Sequence, residues 1–187
     1  MAHRPLPTHE LLQRTALRMF AASSYEAVTV AAIAREAGVS HMTFFRHFPT
    51  KESVVVGDVF DPRIAAAVAA QPPETPPLHR AVRGLLAAME SPQAREHLGS
   101  EEFRTRIELV ARTPALRSAA RAGEQATEDA IARALATAAP GPGERAAAGA
   151  LMGAATALLL DWAAGPGQEG AAGFLAAGLR PLLEPGP

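Results

Sequence analysis

TVAAIAREAGVSHMTFFRHFPTK, residues 29–51, is the stretch that decides the fold. It reads as two short helices joined by a tight turn, followed by the capped start of a third. The Thr29 hydroxyl can accept a hydrogen bond from an unpaired amide of the next turn, which makes it an N-cap. Ile33, Ala34 and Ala37 recur at i, i+1 and i+4, a narrow apolar stripe on about two helical turns. Gly38 follows where a left-handed residue ends a helix without steric cost. Ser40 caps the next helix, in which Phe44 and Phe48, four apart, face inward together. His41, Met42, Thr43, Phe45, Arg46 and His47 are left largely on the outside. Pro49 stops that helix, and Thr50 caps another that starts with Lys51.

Helix, glycine-containing turn, helix is the helix-turn-helix pattern, whose second helix enters the DNA major groove. The dimensions agree: His41 to Phe48 spans about 12 Å at 1.5 Å per residue, comparable to a groove about 12 Å wide. An ordinary helical corner shares the pattern, but a solvated surface helix usually carries Glu or Lys. This one carries aromatics, imidazoles and an arginine. Arg46 and both histidines can donate to phosphates or base edges, and Thr43 can reach either.

The run resembles the N-terminal domain of TetR-family transcriptional regulators over roughly residues 9–57. Tyr25-Glu26-Ala27-Val28-Thr29-Val30, Ile33-Ala34-Arg35-Glu36-Ala37-Gly38-Val39-Ser40 and Thr43-Phe44-Phe45-Arg46-His47-Phe48-Pro49-Thr50-Lys51-Glu52 carry the resemblance. It implies an all-helical homodimer that binds a palindromic operator and is released when a small molecule enters the C-terminal domain. By position, Thr29, Thr43 and Lys51 match phosphate-contacting residues, and Ser40, His41 and Met42 match the base-reading start of the recognition helix. Phe45 stands where the family usually has a tyrosine whose hydroxyl contacts a phosphate, so apolar contact alone remains open to that ring. Ala31 stands where some members place a base-reading arginine. Readout should therefore lean on His41, Met42, Arg46 and His47.

Composition fits that picture. The 187 residues are enough to bury a core without staples, and with no cysteine there is no disulfide, thiolate zinc site or cysteine redox chemistry. The first residues, MAHRPLPTHELLQ, lack the apolar run of a signal peptide. The longest apolar stretch, near 146–164, is broken by Gly149, Gly153 and Asp161. A soluble cytoplasmic protein with no membrane partner is the expectation. The formal net charge of −1 averages unlike parts: residues 1–51 hold six Lys/Arg against three acids, residues 52–187 twelve against sixteen. A modestly basic head on an acidic body suits DNA contact at one end.

The division expected is a DNA-binding domain over 1–57 and an effector-binding and dimerisation domain over 58–187, both helical. The first helix should run from Thr8 to Ser23, its Leu12, Ala16, Met19 and Phe20 closing over Ile33, Phe44 and Phe48. Val54, Val55, Val59 and Phe60 continue from Lys51 as a linking helix or, since valines are poor helix formers, a short strand; Asp61-Pro62 breaks it. Further helices are expected over 63–70, 78–90, 100–112, 116–138, 144–164 and 169–183, separated by proline- and glycine-rich segments. Gly149, Gly153 and Ala157, and then Phe174, Gly178, Leu179 and Leu182, form stripes that suit either intrachain core or the family's dimer, which uses the last two helices.

Leu85, Met89, Phe103, Ile107, Val110, Met152, Leu159 and Trp162 are the candidates for an effector cavity, or simply for core. Their apolar character points to a hydrophobic small-molecule effector, with Arg104, Arg106 and Glu108 as polar candidates nearby. No cofactor or metal is expected: His79 and His97 lack partners at metal-ligand spacing, and there is no nucleophile elbow, phosphate loop or dinucleotide fingerprint. Lone Asp161 lacks the paired carboxylate of acid–base catalysis. Catalysis is not expected, and a ligand-independent DNA-binding protein is the nearer alternative.

Overall fold

The computed structural model describes residues 6–57, 62–165 and 170–184. Among them it is all-helical: α1 (Thr8–Ala22), α2 (Val30–Glu36), α3 (His41–His47), α4 (Ser53–Val56), α5 (Pro62–Ala69), α6 (Pro77–Met89), α7 (Pro92–Leu98), α8 (Glu101–Arg112), α9 (Pro114–Leu135), α10 (Pro142–Ala164) and α11 (Ala171–Leu179), then a 3₁₀ turn Arg180–Leu183.

The first three helices close as the apolar spacing predicts. Leu12, Ala16 and Phe20 of α1 pack with Ile33 of α2 and with Phe44 and Phe48. Burial of a large side chain such as Phe44, fully enclosed, is worth enough that its truncation costs about 3–5 kcal/mol. The same cluster continues into the body, taking in Val54 and Val55 of α4, Leu109 and Val110 of α8 and Leu116 of α9.

Three features differ from the sequence expectation. Lys51 and Glu52 form a turn rather than a helical start, and the valine segment is helical for only four residues. Gly57 ends it at a φ of +59°. Val59, Phe60 and Asp61 lie outside the described residues. Second, Ser91-Pro92 opens a helix that was not expected: the Ser91 hydroxyl caps Ala94 N–H at 3.2 Å, and Pro92 takes the first turn, where its missing N–H is harmless. Pro114 and Pro142 likewise start α9 and α10, so those helices begin two residues earlier than expected. Third, the last helix covers Ala171–Leu179, tightens to a 3₁₀ turn at Pro181 and lacks a described residue 169.

The body packs around α10, which contacts α6, α8, α9 and α11. A second cluster holds Val68, Val82, Ile131, Leu151, Leu175 and Leu179, and a smaller third holds Phe103, Trp162 and Ala171. At Gly84 a Cβ would fall 2.4 Å from the Val68 side chain and 2.6 Å from its Cα, so α5 and α6 meet nearly backbone to backbone. Arg80 is buried and donates to the Leu135 carbonyl at 2.8 Å and the Ala134 carbonyl at 3.4 Å, capping the C-terminus of α9 from a neighbouring helix. By length and composition α10 could cross a membrane (mean hydropathy 1.4), and 33% of its apolar window is buried by the rest of the chain.

Candidate nucleic-acid interface

The interface is built by caps. Thr29 Oγ1 accepts from Ala32 N–H at 3.1 Å and starts α2. The helix ends in a Schellman arrangement: Gly38 N–H donates to the Arg35 carbonyl at 3.1 Å and Val39 N–H to the Ala34 carbonyl at 2.9 Å. Gly38 takes a φ of +70°, the left-handed conformation the turn requires. Ser40 Oγ then accepts from Thr43 N–H at 3.0 Å and shares a proton with Thr43 Oγ1 at 2.8 Å. α3 starts there, seven residues and about 10 Å long.

With Phe44 and Phe48 buried, α3 turns His41, Met42, Phe45 and Arg46 to the outside, while Thr43 and His47 are half-buried at its flanks. Thr29 and Ser40 are exposed at the two N-termini. Seven of the nine residues predicted from sequence therefore lie on α3 or at its cap, and Thr29 is exposed at the start of α2. The ninth, Lys51, is drawn inward: its Nζ donates to the Tyr25 carbonyl and lies 4.0 Å from the Tyr25 ring centre. Burial pushes the Lys51 ammonium below its usual value, against the opposing pull of Glu52 and Glu26.

Lys51 belongs to a knot that sequence reading did not assemble. Tyr25 O–H donates to Glu52 Oε1 at 2.7 Å. That bond is the main cause holding the Glu52 carboxyl below its usual value, while burial and the same carboxylate push the Tyr25 phenol well up. The knot ties the α1–α2 connection to the entry of α4. His9 is the other addition: its ring sits 4.4 Å from that of Phe48 and 6.2 Å from that of His47, pinning the start of α1 to the end of α3. Both links join residues more than 25 positions apart, beyond any local periodicity.

The eight effector candidates fall into three packed groups. Val110 lies in the cluster shared with the head, Leu85, Met89 and Met152 lie in the α6–α9–α10 cluster, and Phe103 and Trp162 lie in the third with Ile107 beside them. Leu159 borders the last two. Arg104 stacks on Trp162 with its guanidinium carbon 4.3 Å from the ring centre, and pairs with Glu108 at 3.7 Å. Arg106 is instead part of a polar cleft of about 350 Å³ between α1, α7 and α8. There the Glu102 carboxylate holds Arg106 at 3.2 Å and Arg14 of the head at 3.5 Å. Burial lowers the Arg106 pKa and Glu102 opposes this.

A capped helix-turn-helix with a polar and aromatic outer face on an all-helical body defines a DNA-binding transcriptional regulator. Comparison with known proteins agrees. Residues 12–56 match the family described as bacterial regulatory proteins, tetR family, and residues 76–186 match the MftR C-terminal domain family. The chain belongs to the TetR family of transcriptional regulators. It is 34% identical over 114 residues to the HTH-type transcriptional regulator TcmR of Streptomyces glaucescens, a match covering 58% of this chain and 50% of that one. The chain thus spans about half the length of that curated relative. In fold it resembles NalD, the secondary repressor of the MexAB-OprM multidrug efflux pump in Pseudomonas aeruginosa, at 20% identity and a TM-score of 0.61 over 94% of this chain and 93% of that one. It also resembles FadR of Bacillus subtilis, solved with stearoyl-CoA, at 15% identity and a TM-score of 0.62 over 93% and 97%.

Proposed function

We propose that the chain is a repressor that binds a palindromic operator as a homodimer, through a head over 1–57, and is released by a small hydrophobic effector held in the body over 58–187. Thr29, Ser40 and Thr43 would hold phosphates, with Lys51 joining them by its free N–H bonds. His41, Met42, Phe45, Arg46 and His47 would face the bases and their sugars. The observation that carries this reading is the geometry of α3, a helix of groove-filling length with an exposed outer face, fixed by the Ser40 cap at its start and by the buried Phe44 and Phe48 beneath it. Such a protein works beside the chromosome, in the cytoplasm.

Support for the dimer comes from α10. Gly149 and Gly153 have nothing within 4 Å of where a Cβ would stand, and Ala157 is exposed beside them. A second copy can approach that face closely, whereas Gly178 of α11 is already occupied by Leu158 of the same chain. A C₂ dimer sets two recognition helices about one DNA turn, ~34–36 Å, apart. Support for a repressor and an apolar effector comes from the relatives, one named as a repressor and one solved with an acyl-CoA.

Fluorescence anisotropy with the chain's own upstream intergenic DNA against scrambled DNA, over a salt series, tests the reading. Specific binding by two protomers, lost steeply with salt, is the expected result. Operator affinity unchanged after joint replacement of His41, Thr43 and Arg46 would remove the recognition-helix assignment. The distribution of the effector candidates over three packed clusters favours a second reading, a ligand-independent DNA-binding protein. Operator affinity that persists under saturating candidate ligands, acyl-CoA among them, would favour it.

A further inference from the structure

Among the described residues, two large hydrophobic side chains remain exposed: Met42 at 77% and Phe45 at 39%. Both stand on the DNA-reading helix, three residues apart and so on one face. Every other large apolar side chain described is at least partly covered, including those at the surface of the body. An exposed apolar pair on an otherwise covered molecule marks a contact surface. Here that surface is continuous with the face that meets DNA.

Phe45 is also held in place. The Phe45 ring meets His41 edge-on with centres 4.8 Å apart, and meets the buried Phe44 ring at 5.5 Å. Thr43, between Met42 and Phe45, turns its hydroxyl back to Ser40. The face therefore presents apolar surface where hydrogen-bonding groups would otherwise read base edges. In the major groove the one apolar feature of the bases is the 5-methyl group of thymine.

We infer that Met42 and Phe45 read thymine methyl groups, so that each operator half-site carries thymines on adjacent or next-adjacent base pairs beneath these two side chains. This rests on the recognition-helix reading above. The spacing follows from the helix: residues three apart advance about 4.5 Å along its axis, against a rise of about 3.4 Å per base pair. Arg46, one residue further on, donates to the neighbouring base or phosphate.

The test uses the full-length protein and an operator selected from a library of random duplexes. Each thymine of the selected duplex is then replaced by deoxyuridine, which removes only the methyl. Loss of a single contacted methyl should weaken binding about fourfold, from the transfer free energy of one carbon, and loss of the symmetry-related pair about fifteenfold. The penalty should vanish at one position in Met42→Ala and at its neighbour in Phe45→Ala, and persist in Met42→Leu, which keeps an apolar tip. Both side chains are exposed, so the alanine variants should keep the parent's thermal unfolding. Deoxyuridine tolerated at every position overturns the inference while leaving the operator intact. A penalty that is the same in both alanine variants also overturns it, because the methyl then acts through duplex shape. Enrichment of no sequence at all removes the operator itself, and the inference with it.

Discussion

Replacing Gly38 by alanine isolates the energetic requirement of the turn between α2 and α3. Gly38 holds a φ of +70°, and nothing lies within 4 Å of where its Cβ would stand. The substitution therefore introduces no clash and acts through the backbone alone. A left-handed residue with a Cβ costs about 1–2 kcal/mol, while alanine recovers about 0.4–1 kcal/mol by restricting the unfolded chain. The net loss is about 1 kcal/mol, which lowers Tm by about 2–4 °C in a chain of this length. Asparagine, which tolerates this conformation, should lose less. D-alanine introduced by chemical ligation should raise Tm, because it favours the same φ and also restricts the unfolded chain. Calorimetry reads the stability, and anisotropy on a selected operator reads whether α3 keeps its angle. If Gly38→Ala unfolds at or above the parent's Tm, the left-handed turn does not constrain the motif and the reasoning fails.

Tyr25→Phe should cost about 1 kcal/mol at neutral pH, since it deletes one half-buried hydrogen bond to a carboxylate and keeps the ring beneath Lys51. Glu52 is depressed below its usual 4.5, so this stability is complete above that value and is lost as pH falls through the lowered folded value. Denaturant titrations at pH 7, 5 and 3 should show the same difference between parent and variant at the first two and a smaller one at the third. Gly84→Ala should destabilise the chain by more than 2 kcal/mol, because the new methyl meets Val68 backbone atoms that cannot turn aside. Equal urea midpoints for parent and variant would show that α5 can withdraw. Arg80→Met keeps the buried length and removes both donors to the end of α9, so a loss of about 2 kcal/mol is expected. Amide exchange should locate that loss at the last turn of α9.

The head was legible in the sequence because its determinants are local. Caps at Thr29 and Ser40, a left-handed Gly38 and the Phe44–Phe48 pair are each decided within four residues, and each is realised. Proline misled in the body. Pro92, Pro114 and Pro142 stand in the proline- and glycine-rich segments expected to separate the helices, yet each occupies the first turn of a helix, with Ser91 supplying a cap before the first of them. Serine directly before proline is a helix-start signal, and α7 begins on it. The Tyr25–Glu52–Lys51 knot and the Arg14–Glu102–Arg106 chain were not legible, because each joins residues brought together only by tertiary packing.

That packing bears on how far the head is separate from the body. Val54 and Val55 are fully buried, and they share a cluster with Leu109, Val110 and Leu116, which come from the body. α8 contacts both α1 and α4, and α9 contacts α4, so the head has no complete core of its own. At the rim, Glu102 divides its carboxylate between Arg14 on the head and Arg106 on the body. Close-packed interiors transmit small displacements, since side chains have no free volume to absorb them. A shift of α8 by an ångström must therefore move α1, change the Glu102 pairings, or open a void against Val54 and Val55. A molecule that displaced α8 would therefore press first on α1 and α4, while α3 packs on α2 rather than on α8.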